Sequence, residues 1–199
     1  MNYKDSLEAQ KLHQELDHHD IDPKETDKRR ILNAGCGLDL SVGSDFVDID
    51  PRDKRVIQCD LDKDPLPYAD RTFYMVYCHS VWEHLTNHQH FLKECGRVLE
   101  DGSKLVIYTD NPTSISYIFL HEHGDLTETW KLDDRHFGLY SAAHIRNHAK
   151  KAGLEFVDYE YLMGEPHNPI LRVLKAVLFF LAPKYTATTI KAILRKGRD

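Results

Sequence analysis

Two glycines and a carboxylate form the part of this sequence with the clearest chemical meaning. Residues 31–37 read Ile-Leu-Asn-Ala-Gly-Cys-Gly, an apolar strand pattern that ends in a glycine turn, and residues 46–50 read Phe-Val-Asp-Ile-Asp. A glycine turn lets the backbone approach a ligand where a Cβ atom would clash, and a carboxylate at the end of the next strand can accept hydrogen bonds from two ribose hydroxyls. This order is typical of an adenosyl-ligand site, with Gly35 and Gly37 in the turn and Asp48 on the ribose.

The spacing of the same residues argues against a dinucleotide site. A nicotinamide-type fingerprint has a third glycine, and its acidic residue lies about 20 residues further on. Here residues 38–40 read Leu-Asp-Leu, and Asp48 follows Gly37 by only 11 positions. We therefore expect no pyrophosphate cradle, which disfavours an NAD-dependent oxidoreductase.

Several further segments accompany the glycine turn in a fixed order. They are residues 56–61 (Val-Ile-Gln-Cys-Asp-Leu), 66–73 (Leu-Pro-Tyr-Ala-Asp-Arg-Thr-Phe), 79–85 (His-Ser-Val-Trp-Glu-His-Leu) and 97–103 (Arg-Val-Leu-Glu-Asp-Gly-Ser). With the first two motifs, this series resembles class I S-adenosylmethionine-dependent methyltransferases over about residues 30–160. Short members associated with polysaccharide or other small-molecule biosynthesis look most similar.

The resemblance implies a Rossmann-like α/β fold: a mostly parallel seven-stranded sheet with helices on both faces and an antiparallel last strand. It also implies S-adenosyl-L-methionine as the cofactor, with Asp60 and the Leu61 backbone reading the adenine and Ile49 against its face. The expected cofactor-binding residues are Asn33, Ala34, Gly35, Cys36, Gly37, Asp48, Ile49, Asp60, Leu61, Cys78 and His79. The alternatives are a loop-capping Asp48, a core Ile49 and an Asp60 that only closes a turn.

Methyl transfer is a displacement at a sulfonium carbon, so the protein mainly holds the reacting atoms in line and excludes water. An alcohol acceptor also needs a base, whereas an amine needs only to arrive neutral. The candidate catalytic residues, which follow the fourth strand, are His79, Glu83 and His84. A helix starting there would place His79 and Glu83 on one face, because they are spaced i, i+4.

The 13 histidines raise the question of a metal site. Residues 121–125 (His-x-His-x-Asp) and 88–90 (His-x-His) have ligand-like spacing, which is more common on loop or helix surfaces, and His136 is better placed to line an acceptor pocket. His79 with Asp110 and Asn111 resembles metal-dependent catechol-type methyltransferases only in part, because Cys78 stands where an acid is needed. We expect no catalytic metal.

The composition is typical of one compact domain: 199 residues, 41% hydrophobic and 29% charged. We expect an N-terminal helix and linker over residues 1–29, with Leu7, Leu12 and Leu16 as helix anchors, and a methyltransferase domain over residues 30–199. The N-terminus lacks an apolar secretion segment and the four cysteines form no C-x-x-C pair. These features predict a cytoplasmic protein with reduced thiols.

Charge is divided unevenly along the chain. Residues 170–199 carry seven Lys or Arg against Asp199, so residues 1–169 hold a net charge of −12. An acidic body argues against a nucleic-acid partner, since phosphate binding needs clustered cations. An apolar helix predicted at about 169–183 has three interpretations: it packs over the sheet or substrate site, it contacts a membrane surface peripherally, or it forms a dimer contact. The sequence leaves the oligomeric state open.

The elements that position these residues alternate along the chain. Strands are predicted at 30–34, 45–49, 55–59, 73–79, 104–109, 154–162 and 186–194. Helices are predicted from the Asn87 cap to Leu99 and from the Ser141 cap to Ala152, before Gly153. The loop from Leu38 to Asp45 is too short for a full first helix.

We therefore expect a methyltransferase that acts on a small-molecule or glycan-type acceptor at oxygen. Its alternative is a non-catalytic adenosyl-ligand-binding protein of the same fold, and a less favoured one is the oxidoreductase.

Overall fold

The computed structural model describes residues 29–115, 137–162, 177 and 179–198. The predicted N-terminal helix with its anchors Leu7, Leu12 and Leu16, the ligand-like His121, His123 and Asp125, and the pocket residue His136 all lie outside these ranges.

Seven strands form a single sheet in the order β3-β2-β1-β4-β5-β7-β6. The strands are β1 (Ile31–Ala34), β2 (Asp45–Asp48), β3 (Val56–Gln58), β4 (Phe73–His79), β5 (Leu99–Asp110), β6 (Leu154–Leu162) and β7 (Thr189–Lys196). Strands β1 to β5 pair in parallel, and β7 is antiparallel to both β5 and β6. The predicted mostly parallel sheet with an antiparallel last strand is confirmed.

Two helices pack against one face of the sheet. They are α1 (His88–Val98) and α2 (Ala142–Lys151). The Asn87 side chain accepts a hydrogen bond from His90 N, and Ser141 forms a capping box with His144, so both predicted caps are confirmed. Gly153 follows α2 with φ +81°. Two further short elements are a 3-10 turn at Trp82–His84 and α3 at Pro183–Thr186.

The main core lies between these helices and the sheet. Leu92 and Ile145 from the helices are fully buried against Leu32, Val76 and Ile107 from the strands. Burial of each such side chain contributes roughly 1.5–3 kcal/mol before entropy is counted. A second cluster on the other face joins β1, β4 and β5 through Ile31, Met75, Tyr77, Val106 and Tyr108. All four cysteines are buried and unpaired, as expected.

Two strand boundaries differ from prediction for local reasons. Strand β5 begins at Leu99, five residues early, because Gly102 at φ +78° forms a bulge between the pairs Phe73↔Leu99 and Met75↔Lys104. Strand β7 begins at Thr189 rather than 186, because Pro183 starts α3.

The predicted C-terminal apolar helix is described in part. Residues 177 and 179–181 are helical, and Ala182 interrupts the helix with φ −149° and ψ 64°. In the part of the chain that the structure describes, no helix is long and apolar enough to cross a membrane.

Candidate active site

The glycine turn joins three loops at the carboxyl edge of the sheet. Gly35 N and Cys36 N both donate to Val47 O, at 2.8 and 3.2 Å, which binds the turn to the end of β2. Gly35 has φ +74° and Gly37 has φ +53°, a region that favours glycine. A Cβ atom on Gly35 would overlap with Val81 Cγ2. The turn therefore packs directly against the loop that follows β4.

Asp48 is a loop cap, and it keeps the capacity to bind a ligand. Its Oδ2 accepts from Gly37 N at 2.8 Å, and its Oδ1 accepts from Asp50 N at 2.9 Å. Each carboxylate oxygen has a second lone pair, so the half-buried carboxylate can still accept two ligand hydroxyls. The capping alternative is therefore compatible with ribose binding rather than opposed to it.

Ile49 is 62% exposed beside this carboxylate. Its interpretation as a core isoleucine is therefore wrong. An exposed apolar side chain at this point is available to cover the face of an adenine ring.

Asp60 closes its own turn. The carboxylate accepts from Asp62 N at 3.0 Å and from Lys63 Nζ at 2.7 Å, and the Lys63 ammonium lowers the pKa of Asp60. Leu61 is buried by its side chain, so only its backbone could meet a ligand. The turn is held to the loop before α1 by Asp62, which accepts from Thr86 N and Asn87 N.

Four of the predicted cofactor residues have side chains that point into the protein. Asn33 Nδ2 donates to Asp39 O at 3.0 Å and to Val42 O at 3.3 Å, which holds the short loop after the glycine turn. Ala34 and Cys78 are fully buried in the main core. Burial raises the pKa of Cys36 to about 12, and Asp48 adds to the shift. These four positions can approach a ligand only through their backbone.

His79 ends β4 on the face that carries Tyr77 and Tyr108. Its half-buried ring lies 6.2 Å from the Tyr77 ring and 5.5 Å from the Tyr108 ring, and Nδ1 is 3.4 Å from Ser80 Oγ. The helical start expected at His79 does not form, because Ser80 adopts φ +50° and the 3-10 turn begins only at Trp82.

Glu83 consequently lies on the opposite side of the sheet from His79. It is buried, and its Oε2 accepts from Thr109 Oγ1 at 2.9 Å. Thr109 and Tyr108 are successive strand residues and face opposite ways. The i, i+4 spacing thus does not place His79 and Glu83 together. His84 is half-buried in the same turn, and its backbone N–H donates to Val81 O at 2.9 Å.

Sequence reasoning missed the side chains that hold these loops in place. Arg97 donates to Leu66 O at 2.9 Å and to Tyr68 O at 2.8 Å, and it pairs with Glu94, which raises the pKa of the guanidinium. Glu94 is its i, i+3 neighbour, but the two carbonyls that it binds lie about 30 residues earlier, and no local pattern indicates them.

Asn111 is unsuited to the metal role considered for it. Its Nδ2 donates to Lys184 O and Ala187 O, both at 2.9 Å, and its Oδ1 accepts from Thr113 Oγ1 at 2.8 Å. Across the described ranges, no group of three or more His, Cys, Asp or Glu is placed to hold a metal ion.

Comparison with known proteins agrees with this geometry. The methyltransferase domain family matches residues 25–107, which run from before β1 into β5. This part of the chain is a methyltransferase domain. S-adenosylmethionine is its cosubstrate, and the residues above fit it: Asp48 offers acceptors to a ribose, and Ile49 offers apolar surface to an adenine.

Solved structures with the same fold are numerous, at low identity. An S-adenosylmethionine-dependent methyltransferase from Archaeoglobus fulgidus is 20% identical with TM-score 0.61, covering 84% of this chain and 86% of that one. One from Mesorhizobium loti is 13% identical with TM-score 0.59, covering 84% and 91%. A Haemonchus contortus phosphoethanolamine N-methyltransferase in complex with S-adenosylmethionine is 15% identical with TM-score 0.56, covering 85% and 49%. No curated protein matches the chain.

Proposed function

We propose that this methyltransferase acts on an oxygen of a small-molecule or glycan-type acceptor. One observation carries the proposal. The glycine turn is hydrogen-bonded to Asp48 on one side and packs against Val81 on the other, and Val81 follows His79 by two residues. The adenosyl-binding end and the candidate base therefore border the same loop. An acidic body of net charge −12 over residues 1–169 supports a small acceptor rather than a nucleic acid.

The cofactor supplies an electrophilic methyl group on a sulfonium. In our proposal Asp48 accepts from the ribose hydroxyls, Ile49 covers the adenine, and the Leu61 and Cys78 backbones contact the cofactor. Asp60 accompanies Leu61 at the adenine. Fixing the cofactor and acceptor in line lowers the barrier by proximity, while the loops exclude water.

His79 is the residue to which we assign proton removal. An alcohol must lose its proton as the carbon–oxygen bond forms, and a neutral imidazole nitrogen can accept that proton. Glu83 is better regarded as a positioning residue, because its carboxylate is buried on the other side of the sheet and bonded to Thr109. His84 lies in the same turn and supports the loop.

The cofactor assignment is tested by calorimetric titration with S-adenosylmethionine and S-adenosylhomocysteine. Asp48→Ala removes the ribose acceptor, and we expect a loss of about 1.5–3 kcal/mol, on the order of tenfold to a hundredfold in affinity. Asp50→Ala is the matched control: this carboxylate is two residues further on and exposed, and within the described part of the chain its ion pair is with Arg52. Its affinity should change less than about threefold. Equal losses in both variants would contradict the ribose role.

The acceptor chemistry is tested by turnover of His79→Gln. We expect kcat for alcohol acceptors, measured at saturating S-adenosylmethionine, to fall by about 10²–10⁴, because the base is lost. Transfer to a neutral amine should fall far less, which provides the control. Equal losses for both acceptor classes would contradict the role as base.

Two outcomes would indicate the alternatives. Cofactor binding that depends on Asp48, without transfer to any acceptor in a broad panel, would favour a non-catalytic adenosyl-binding protein. Displacement of S-adenosylhomocysteine by NAD would favour the oxidoreductase.

A further inference from the structure

Ser80 directly follows the candidate base, and its backbone conformation is one that non-glycine residues rarely adopt. Its φ is +50°, and among the described non-glycine residues only Arg71, at φ +54°, shares this left-handed region. The region is unfavourable for serine because the Cβ atom comes too close to the following carbonyl oxygen. Such strain persists only where neighbouring groups hold it in place, and it is concentrated at functional sites.

Neighbouring groups hold Ser80 from both sides. Its N–H donates to Tyr108 O at 3.0 Å, which continues the pairing of β4 with β5 one residue beyond His79. Val81, the next residue, has already left the sheet, and its Cγ2 atom occupies the space beside Gly35 where a Cβ would lie. The chain therefore turns away from the sheet within a single residue, and Ser80 is that residue.

The turn at Ser80 keeps the imidazole of His79 in line with β4. The rings of His79 and Tyr77 are nearly parallel, at an angle of 3° and a distance of 6.2 Å, as expected for strand residues two positions apart. Beyond the turn, Trp82 is fully buried in the main core. Ser80 thus ends the strand without starting a helix, and His79 remains the last strand residue, on the face that carries Tyr77.

The Ser80 side chain lies beside the same imidazole. Its Oγ is 3.4 Å from Nδ1 of His79, the ring nitrogen nearer the backbone, which is the length of a long hydrogen bond. A neutral imidazole carries one proton, and the partner of one nitrogen determines which nitrogen holds it. A serine hydroxyl can donate or accept. When the hydroxyl accepts from Nδ1–H, the lone pair that can take a proton is on Nε2, at the outer end of the ring.

We propose that Ser80 is a positioning residue for His79. Its left-handed backbone holds the ring on the face of Tyr77, and its hydroxyl accepts from Nδ1–H, so that Nε2 is the nitrogen that accepts a proton. The use of that nitrogen in methyl transfer rests on the proposed function. The tautomer of the ring does not, because it can be measured in the resting protein without an acceptor.

The test is ¹⁵N NMR of the full chain labelled with ¹⁵N-histidine, at about pH 8.5, where unperturbed imidazoles are neutral. The ring signals of His79 are identified by their loss in His79→Gln, and we expect a protonated Nδ1 with an unprotonated Nε2. Ser80→Ala keeps the Cβ and removes the hydroxyl, so it should lower the ratio of the Nδ1–H to the Nε2–H tautomer by about threefold to tenfold, the effect of one hydrogen bond. Ser80→Asn should restore the ratio, because asparagine tolerates the left-handed region and offers an amide oxygen as acceptor.

Ser80→Gly removes the hydroxyl and the backbone strain together, so it reports on the ring in a chain that keeps its fold. Arg71→Gly is its matched control. Arg71 has the same left-handed backbone, but it precedes β4 at the opposite end from His79, where its N–H donates to Arg97 O at 3.0 Å. Both glycine variants should unfold at the denaturant concentration of the unmodified chain or a higher one. Among these two, only Ser80→Gly should change the His79 signals.

Three outcomes would overturn the proposal: an Nε2–H tautomer in the unmodified chain, unchanged His79 signals in Ser80→Ala and Ser80→Gly, or an equal change in Arg71→Gly. Failure of the proposed function would look different. If His79→Gln transferred methyl groups to alcohols at an unchanged rate, His79 would not be the base, whereas the tautomer measured in the Ser80 variants would still decide whether Ser80 positions the ring.

Discussion

Gly35 shows how one residue can be fixed by two independent demands. Its backbone has φ +74°, which L side chains rarely adopt, and the space where its Cβ would lie is occupied by Val81. Gly153 has a similar φ of +81°, but a Cβ atom added there would meet nothing within 4 Å. Comparing Gly35 with Gly153 therefore separates two effects of an added side chain on the free energy of unfolding: the backbone strain and the steric clash.

We expect Gly35→Ala to destabilise the fold by more than Gly153→Ala, which should cost roughly 1 kcal/mol through its backbone alone. The excess arises from the clash with Val81, so Gly35→Ala/Val81→Ala should recover part of it. Denaturant unfolding of the three variants measures each contribution. Equal losses for the two single variants, with no recovery in the double one, would show that Val81 yields without cost.

Among single residues, the sequence predicts those whose role depends on the local backbone conformation. The glycines and Asp48 occur where strand ends must turn, and their spacing is visible in the chain. The directions of Asn33 and Glu83 were not visible, because they depend on the short loop that Asn33 holds and on Ser80 at φ +50°. A left-handed serine has no reliable sequence signal.

The contact between α1 and α2 is the element that should respond to pH. His88 Nε2 lies 3.0 Å from Trp82 O, and its ring is 5.0 Å from the ring of His148. Burial lowers the pKa of both histidines, and His148 adds to the shift of His88, while His144 and Lys151 add to that of His148. Gln89 Nε2 lies 3.2 Å from His148 Nδ1. The junction is therefore arranged around neutral imidazoles.

Because the imidazole pKa values are lower in the folded state, the unfolded chain binds more protons than the folded chain at any pH between the two pKa values. This contribution to stability is fully present above about pH 6.5, the unfolded value, and is lost as pH falls towards the folded values. We expect the free energy of unfolding to decrease between about pH 7.5 and pH 5.5, and His88→Gln/His148→Gln to flatten that slope. The carboxyl groups of Asp45 and Glu94, whose pKa values are lowered by Arg30 and Arg97, act only in more acidic solution. If the double variant shows the same slope of unfolding free energy against pH, other groups cause the pH dependence.

Among the elements, strand positions were predicted better than their ends. Strands β1 to β4 lie within one residue of the predicted bounds, and β1 and β4 are buried along most of their length. The early start of β5 and the late start of β7 depend on a bulge at Gly102 and on Pro183. At Gly102 residue propensities do not distinguish a turn from a bulge, and at Pro183 they do not distinguish a strand from a helix.

At the scale of the whole molecule, the last strand is inserted into the sheet rather than added at its edge. Strand β7 lies between β5 and β6, pairing Leu105 with Leu194 on one side and Phe156 with Leu194 on the other. Lys196 Nζ also donates to Leu99 O at 2.8 Å, at the start of β5. The chain therefore cannot close its sheet until its final residues are in place, although the candidate cofactor residues all lie in the first half of the sequence.

Truncation after Thr188 should consequently abolish cooperative unfolding, although it removes no candidate site residue. It leaves β6 without its described partner and exposes an edge of β5, which favours aggregation. Truncation after Lys196 keeps all of β7 and is the control, with a change within about 0.5 kcal/mol. Circular dichroism during denaturant unfolding, together with calorimetric binding of S-adenosylhomocysteine, distinguishes the two. A shorter chain that still unfolds cooperatively and binds ligand would show that β1 to β5 form an independent unit, because β7 would then be an addition to the sheet rather than the strand that completes it.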